Sequence, residues 1–271
     1  MKRIGIIYHP KRVEAVKYSR QLDKLLKKAG VQTWLGSAWE PHELNTQAPG
    51  SDLVISIGGD GTILRAAKAI IPQSIPILGI NLGNLGFMSE LTLKEAETKL
   101  SYVLSGKGWV EERALIEISY NKKTFYALND VFIGRRSLSR LVTIHCKIDG
   151  EPLATFRVDG IIIATASGST AYSLAAGGPI LHPQSKEIIL QPVSPHFSFD
   201  KSLVLPLGTL IDLTVSTTHE AMISMDGQAE EELKSGDRIR VKLSKYTARF
   251  LRLQSKKYFY KTLDSKLQRK I

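Results

Sequence analysis

The apolar run Leu53-Val54-Ile55-Ser56-Ile57 leads directly into Gly58-Gly59-Asp60-Gly61-Thr62, and then into a helix-forming stretch over residues 63–70. A buried strand, a glycine turn and a helix in immediate succession is one half of a parallel α/β unit. That arrangement puts backbone N–H groups at a helix N-terminus, where phosphate oxygens bind. The glycines let a ligand come close and open backbone angles that other residues avoid. Asp60 is the odd member, a carboxylate set where an anion is expected. Beside bound phosphates it needs a metal, a sugar hydroxyl or a proton in transit to justify it. An aspartate near a helix start is common on its own, but three glycines around it favour a functional turn.

The rest of the first 110 residues repeats this alternation. Strands are expected at residues 4–8, 31–35, 53–57 and 75–80. Helices are expected at 14–29, with the apolar stripe Ala15, Tyr18, Leu22, Leu25, Leu26 and Ala29 closed by Gly30, and at 93–104. In such a doubly wound, mostly parallel sheet, ligands sit beyond the carboxyl ends of the strands. Both Gly58–Thr62 and the second glycine loop, Asn81-Leu82-Gly83-Asn84-Leu85-Gly86-Phe87, fall at such ends. After Gly108 the pattern changes to ten strand-like runs, beginning with residues 111–120 and 124–133 and ending with 238–243. Turn signals at Asn121-Lys122-Lys123 and Asp149-Gly150 punctuate them. The expected fold is therefore an α/β N-terminal domain over residues 1–110, followed by a mostly antiparallel all-β domain over 111–271. The tail from about residue 250 is expected to pack back on the first domain.

Composition narrows the function classes. At 271 residues, 43% hydrophobic and 23% charged, the chain has the make-up of a globular protein with sizeable cores. No apolar run approaches the ~20 residues that cross a bilayer. The N-terminal apolar run reads as a first strand and is too short for a signal peptide. Cys146, the single cysteine, sits in an alternating strand pattern and reads as packing; its solitude fits a reducing, cytoplasmic setting. With one cysteine and scattered histidines, no protein-held metal site is expected. The net charge is +11, and residues 240–271 carry eleven Lys or Arg against one acid, Asp264. There the basic residues alternate with apolar ones, as on solvated strand faces, and no nucleic-acid-binding motif accompanies them.

Within the β region one segment stands apart. Asp159-Gly160 precedes an apolar strand, and Thr165-Ala166-Ser167-Gly168-Ser169-Thr170-Ala171-Tyr172-Ser173-Leu174-Ala175-Ala176-Gly177-Gly178-Pro179 follows it. Such a density of small and hydroxylated residues suits either a ligand at a helix start or a small helix packed tightly on a sheet. Tyr172 can stack on a planar ring. Asn129-Asp130 lies inside a strand-like run where both residues are unfavoured. A carboxylate there can pair with the two hydroxyls of a ribose, and an amide can meet a purine edge.

Taken together, Gly58–Thr62, Asn81–Phe87, Asn129-Asp130, Asp159-Gly160, Gly168-Ser169-Thr170-Ala171-Tyr172 and Asp226-Gly227-Gln228 resemble the NAD kinase family, in the family's order and over nearly the full chain. Two positions depart from the family pattern. Thr165-Ala166-Ser167 stands where Thr-Pro-Thr is usual, and Asn129-Asp130 where Asn-Glu is frequent. The resemblance implies transfer of the ATP γ-phosphoryl group to the 2′-hydroxyl of the NAD+ adenosine ribose, with Mg²⁺ or another divalent cation accompanying ATP. It implies Asp60 as general base, and dinucleotide contacts from Asp60, Gly61, Arg65, Phe87, Asn129, Asp130, Arg140, Arg157, Asp159, Ser167, Thr170, Ala171, Tyr172, Ser173, Ala175 and Gln228. It further implies a cytoplasmic homodimer or homotetramer with small-molecule substrates and neither nucleic-acid nor membrane partners. The alternatives are a lipid kinase of the diacylglycerol or sphingosine type, which shares a relative of the first motif, and a non-catalytic NAD-binding sensor.

Overall fold

The computed structural model describes residues 1–83, 86–137, 140–196 and 199–268. Asn84 and Leu85, in the middle of the second glycine loop, lie outside the described residues. The chain forms two compact units, Met1–Glu112 with Ala248–Ile271, and Arg113–Thr247.

The first unit is α/β. Its elements are β1 (Arg3–Tyr8), α1 (Val13–Lys28), β2 (Gln32–Ser37), α2 (Pro41–Gln47), β3 (Leu53–Ile57), α3 (Asp60–Ala69), β4 (Pro76–Asn81), β5 (Leu91–Thr92) and α4 (Leu93–Leu104). Strand β1 pairs in parallel with β2 and β3, and β3 pairs in parallel with β4. All five residues of β3 are buried, which is why its sequence is an unbroken apolar run rather than an alternation. On α1 the residues facing the sheet are Ala15, Tyr18, Leu22 and Leu26; Leu25 and Ala29, expected in the same stripe, are exposed. Helix α4 starts on a reciprocal capping box, Thr92 with Glu95, matching its expected first residue.

Strand β6 (Trp109–Tyr120) leads into the second unit. There follow β7 (Lys123–Ala127), β8 (Asp130–Arg135), β9 (Val142–Ile148), β10 (Glu151–Val158), β11 (Gly160–Ala164), a single 3₁₀ turn over Gly168–Thr170, α5 (Tyr172–Ala175), β12 (Ile188–Val193), β13 (Leu203–Leu205), β14 (Ile211–Ser216), β15 (Ala221–Met225), β16 (Ala229–Leu233) and β17 (Arg238–Arg252). An antiparallel six-stranded sheet runs in the order β13-β12-β11-β8-β15-β16. A second antiparallel group joins β10, β9, β14 and the first residues of β17. One apolar core holds both together, with Ile133, Ile163, Leu190 and Ile223 from the first and Ile144, Phe156 and Leu213 from the second. Asn121 and Lys122 both take positive φ between β6 and β7, the backbone a two-residue hairpin turn requires. Cys146 is buried in this core, and burial pushes its thiol up to about 12, so it packs and does not react.

The end of β17 returns to the first unit, where Arg249 and Phe250 pair in parallel with Pro76 and Ile77 of β4. Helix α6 (Tyr258–Gln268) follows. The alternating basic residues at the start of β17, Arg238, Arg240 and Lys242, face solvent as expected. Arg252 departs from that expectation. It is buried and paired with Glu90 and Glu111, at 3.2 and 2.7 Å. No described helix is long and apolar enough to cross a membrane.

Candidate functional site

In the first unit the expected glycine–aspartate turn forms where β3 ends. Gly59 precedes the helix, and its carbonyl accepts the Thr62 and Ile63 N–H groups that close the first turn of α3. Asp60 is the first helical residue, half-buried, and its carboxylate reaches across to the loop after β4. There it accepts the backbone N–H groups of Phe87 at 2.9 Å and Met88 at 3.4 Å. The two glycine loops are thus tied by this carboxylate, between residues 27 positions apart in sequence. Gly86 makes the tie possible, because a Cβ there would collide with the Asp60 carboxylate. The same loop is held by Ser89, whose hydroxyl accepts the Gly86 N–H at 2.7 Å. Gly61 is exposed beside Asp60 and Phe87 half-buried.

Arg65, one turn further along α3, lies with its guanidinium 4.3 Å over the Trp39 ring, and His9 packs on that ring at 4.5 Å. Burial, and then Arg12, Lys11 and Arg65, hold the His9 pKa below its ordinary value. His9, Trp39 and Arg65 come from the carboxyl ends of β1 and β2 and from α3. Sequence reading selected only Arg65, since nothing local marks an aromatic after β2 as its partner.

In the second unit the expected run 124–133 breaks into β7 and β8 at Leu128-Asn129, and the break builds the site. The Asp226 carboxylate, in the turn after β15, accepts the backbone N–H groups of Leu128 at 3.1 Å, Asn129 at 2.7 Å and Asp130 at 3.3 Å. From the other side, the Thr165 hydroxyl donates to the Leu128 carbonyl at 2.6 Å and the Thr165 N–H to the Asn129 carbonyl at 2.8 Å. Gly168 sits so close to Asn129 that a Cβ would overlap its backbone. The small-residue segment therefore serves close packing, and it packs against the residues expected to meet the ligand.

A cavity of about 410 Å³ opens here, lined by Asn129, Asp130, Phe132, Ala171, Tyr172, Met222, Ser224, Asp226 and Gly227. Asp130 is only 7% exposed, and burial, then the neighbouring Asp226, push its carboxyl up to about 7 against the opposing Tyr172 N–H. Near neutral pH such a group can both donate and accept. The Asn129 Oδ1 atom is buried with no hydrogen-bond partner among the described residues. Tyr172 is 45% exposed, its ring 5.6 Å from Phe132, offering an accessible aromatic face.

Other selected residues do not line this cavity. Ser167 and Thr170 are buried in the 3₁₀ turn and its approach; Ser167 accepts a long 3.5 Å hydrogen bond from Arg113. Ser173 is fully buried and Ala175 exposed on α5. Asp159, between β10 and β11, pairs with Arg135 at 2.8 Å. Arg140 and Arg157 are exposed, and Gln228 lies in the tight turn before β16, its N–H on the Met225 carbonyl. Asp226 was not among the selected residues. It belongs to Asp226-Gly227-Gln228, one of the motifs that carry the resemblance, but from that motif only Gln228 was selected; Asp226 and Gly227 form a turn in which both have positive φ.

Comparison with known proteins follows the same division. Residues 37–107 match the family model for the ATP-NAD kinase N-terminal domain, and residues 128–253 that for the ATP-NAD kinase C-terminal domain. An NAD kinase of Dehalococcoides mccartyi is 43% identical over 98% of this chain and 96% of its own. One of Chloroflexus aurantiacus is 37% identical over 99% of both. Among solved structures, an NAD kinase from Archaeoglobus fulgidus in complex with ATP superposes with a TM-score of 0.79 at 26% identity, over 98% of each chain. A yeast NADH kinase complexed with NADH gives 0.81 at 24% identity, covering 99% of this chain and 88% of that one, a likeness of fold. The chain belongs to the NAD kinase family.

Proposed function

We propose that this enzyme transfers the γ-phosphoryl group of ATP to the 2′-hydroxyl of the adenosine ribose of NAD+, giving NADP+ and ADP. The observation that carries the reading is the cavity of the second unit. There Asn129, whose amide oxygen has no hydrogen-bond donor among the described residues, lines the wall next to Asp130, a carboxyl group able to donate and accept near neutral pH. An adenosine offers the complement, an exocyclic amine and ribose hydroxyls. Tyr172 supplies a face for a planar ring, and the narrow approach of residues 165–170 to Asn129 fixes the cavity wall.

Asp60 is the general base of this reaction. A ribose hydroxyl is a weak nucleophile at neutral pH, and a positioned carboxylate removes its proton as attack proceeds. As the O2′–Pγ bond forms, the bond from Pγ to the β,γ-bridging oxygen breaks and ADP leaves. The amides of Phe87 and Met88 orient the Asp60 carboxylate for this role. Gly61 and Arg65 attend the anionic groups, and Phe87 borders the dinucleotide. Arg140, Arg157, Asp159, Ser167, Thr170, Ala171, Ser173, Ala175 and Gln228 complete its surroundings. A divalent cation accompanying ATP would be held chiefly by the triphosphate oxygens. When bound, it neutralises charge on the phosphates. The enzyme works in the cytoplasm as a homodimer or homotetramer.

The test is a coupled assay. Purified protein is incubated with ATP, Mg²⁺ and NAD+, and an NADP-specific dehydrogenase reports product; a parallel reaction offers diacylglycerol as acceptor. NADP+ formation with no lipid phosphorylation is expected. Phosphorylated lipid without NADP+, or NAD+ binding without turnover, would overturn the reading.

A further inference from the structure

Asp226 takes no part in the chemistry above, yet it is the most connected carboxylate at the cavity. Between β7 and β8 the ladder stops, so Leu128 and Asn129 have backbone donors that no strand partner satisfies, and Leu128 is fully buried. A buried N–H left without an acceptor is costly. One carboxylate meets both, at 3.1 and 2.7 Å, and also the N–H of Asp130, the first residue of β8, at 3.3 Å. In return the Asp226 N–H donates to the Asp130 carbonyl at 2.9 Å, making the contact two-way. Asp226 reaches this place only by taking a left-handed φ of 53°, which an L-residue adopts at a cost.

Repairing a broken ladder does not by itself imply a ligand. The second observation does. The segment so fixed carries Asn129, which lines the cavity and whose Oδ1 atom is buried and without a hydrogen-bond partner among the described residues. We propose, resting on the dinucleotide reading above, that Asp226 is a positioning residue for the adenosine end of the dinucleotide. Its carboxylate gathers the 128–130 backbone so that the Asn129 amide and the Asp130 carboxyl face the cavity in one arrangement. It also adds to the effect of burial in disfavouring a charged Asp130, because neighbouring carboxylates resist being charged together. The titratable groups facing Asp130 are Asp226, from the turn after β15, and Tyr172, at the start of α5. Opposite it, β11 contributes Ala164, which does not titrate.

The experiment measures NAD+ affinity by calorimetry without ATP, and KM for NAD+ and for ATP against pH, for the parent, the isosteric Asp226→Asn and the shorter Asp226→Ser. Asp226→Asn keeps the shape and one acceptor but removes the charge. NAD+ affinity is expected to fall roughly tenfold or more, with KM for ATP changing far less. The pH midpoint of kcat/KM for NAD+ is expected to move to lower pH in both variants, because Asp130 loses its like-charged neighbour. A general loss of structure would shift both KM values together and leave that midpoint in place. A variant that binds NAD+ as the parent does, or whose midpoint does not move, overturns this proposal alone. A parent that binds no NAD+ overturns the functional reading, and this proposal with it.

Discussion

Asp60 and Asp130 are two carboxylates prepared in opposite ways. Asp60 is half-buried and oriented by two backbone amides. Asp60→Asn retains an oxygen for those amides but removes the proton acceptor. Turnover should fall by about 10²–10⁴-fold with NAD+ affinity nearly unchanged, read by steady-state kinetics beside calorimetry. Near-normal NADP+ formation would remove the general-base assignment. Asp130 is buried, and its carboxyl is pushed up to about 7. In the unfolded chain it titrates in the ordinary carboxylate range, so between that range and about pH 7 the folded state holds the extra proton. Its contribution to stability is therefore fully present below the ordinary range and lost as pH rises through about 7. Asp130→Asn should remove this slope. Denaturant unfolding without ligand should find the variant more stable than the parent at pH 8, by up to a few kcal/mol. The two should converge at low pH; parallel pH profiles would contradict the shift.

Elements show which features sequence patterns carry and which they do not. The β3–α3 unit was legible because its causes are local: five consecutive apolar residues, a glycine pair, and a helix with buried Ile63, Leu64, Ala66 and Ala67. Helix α4 was legible as residues 93–104, and the structure adds the Thr92–Glu95 capping box that starts it. The break between β7 and β8 was not. Apolar alternation runs straight through it, and the acceptor for the freed Asn129 N–H lies 97 positions away at Asp226. Arg252 was misread as solvated because its partners, Glu111 and Glu90, are 141 and 162 positions distant. Its guanidinium also donates to the Met88 carbonyl at 2.9 Å, next to the loop that orients Asp60. Arg252→Ala should leave two buried carboxylates uncompensated and cost about 3–5 kcal/mol, measurable by urea unfolding. A cost under about 1 kcal/mol would mean that the cluster is hydrated rather than buried.

At the scale of the whole molecule, part of the basic excess at the C-terminal end is held in ion pairs. Arg240 pairs with Asp212, Lys242 with Glu117 and Arg249 with Glu112, besides the buried Arg252 cluster. Each unit has its own core, and each carries part of the chemistry assigned to the enzyme: the oriented Asp60 carboxylate in the first, the amide and carboxyl of the adenosine cavity in the second. The central claim is that the γ-phosphoryl group of ATP ends on the ribose 2′-oxygen. Phosphorus NMR of the reaction with ATP, Mg²⁺ and NAD+ tests it directly. The predicted result is a phosphomonoester resonance matching the 2′-phosphate of NADP+, formed in step with ADP. ADP accompanied only by inorganic phosphate, or a phosphomonoester on any other hydroxyl, would contradict the account.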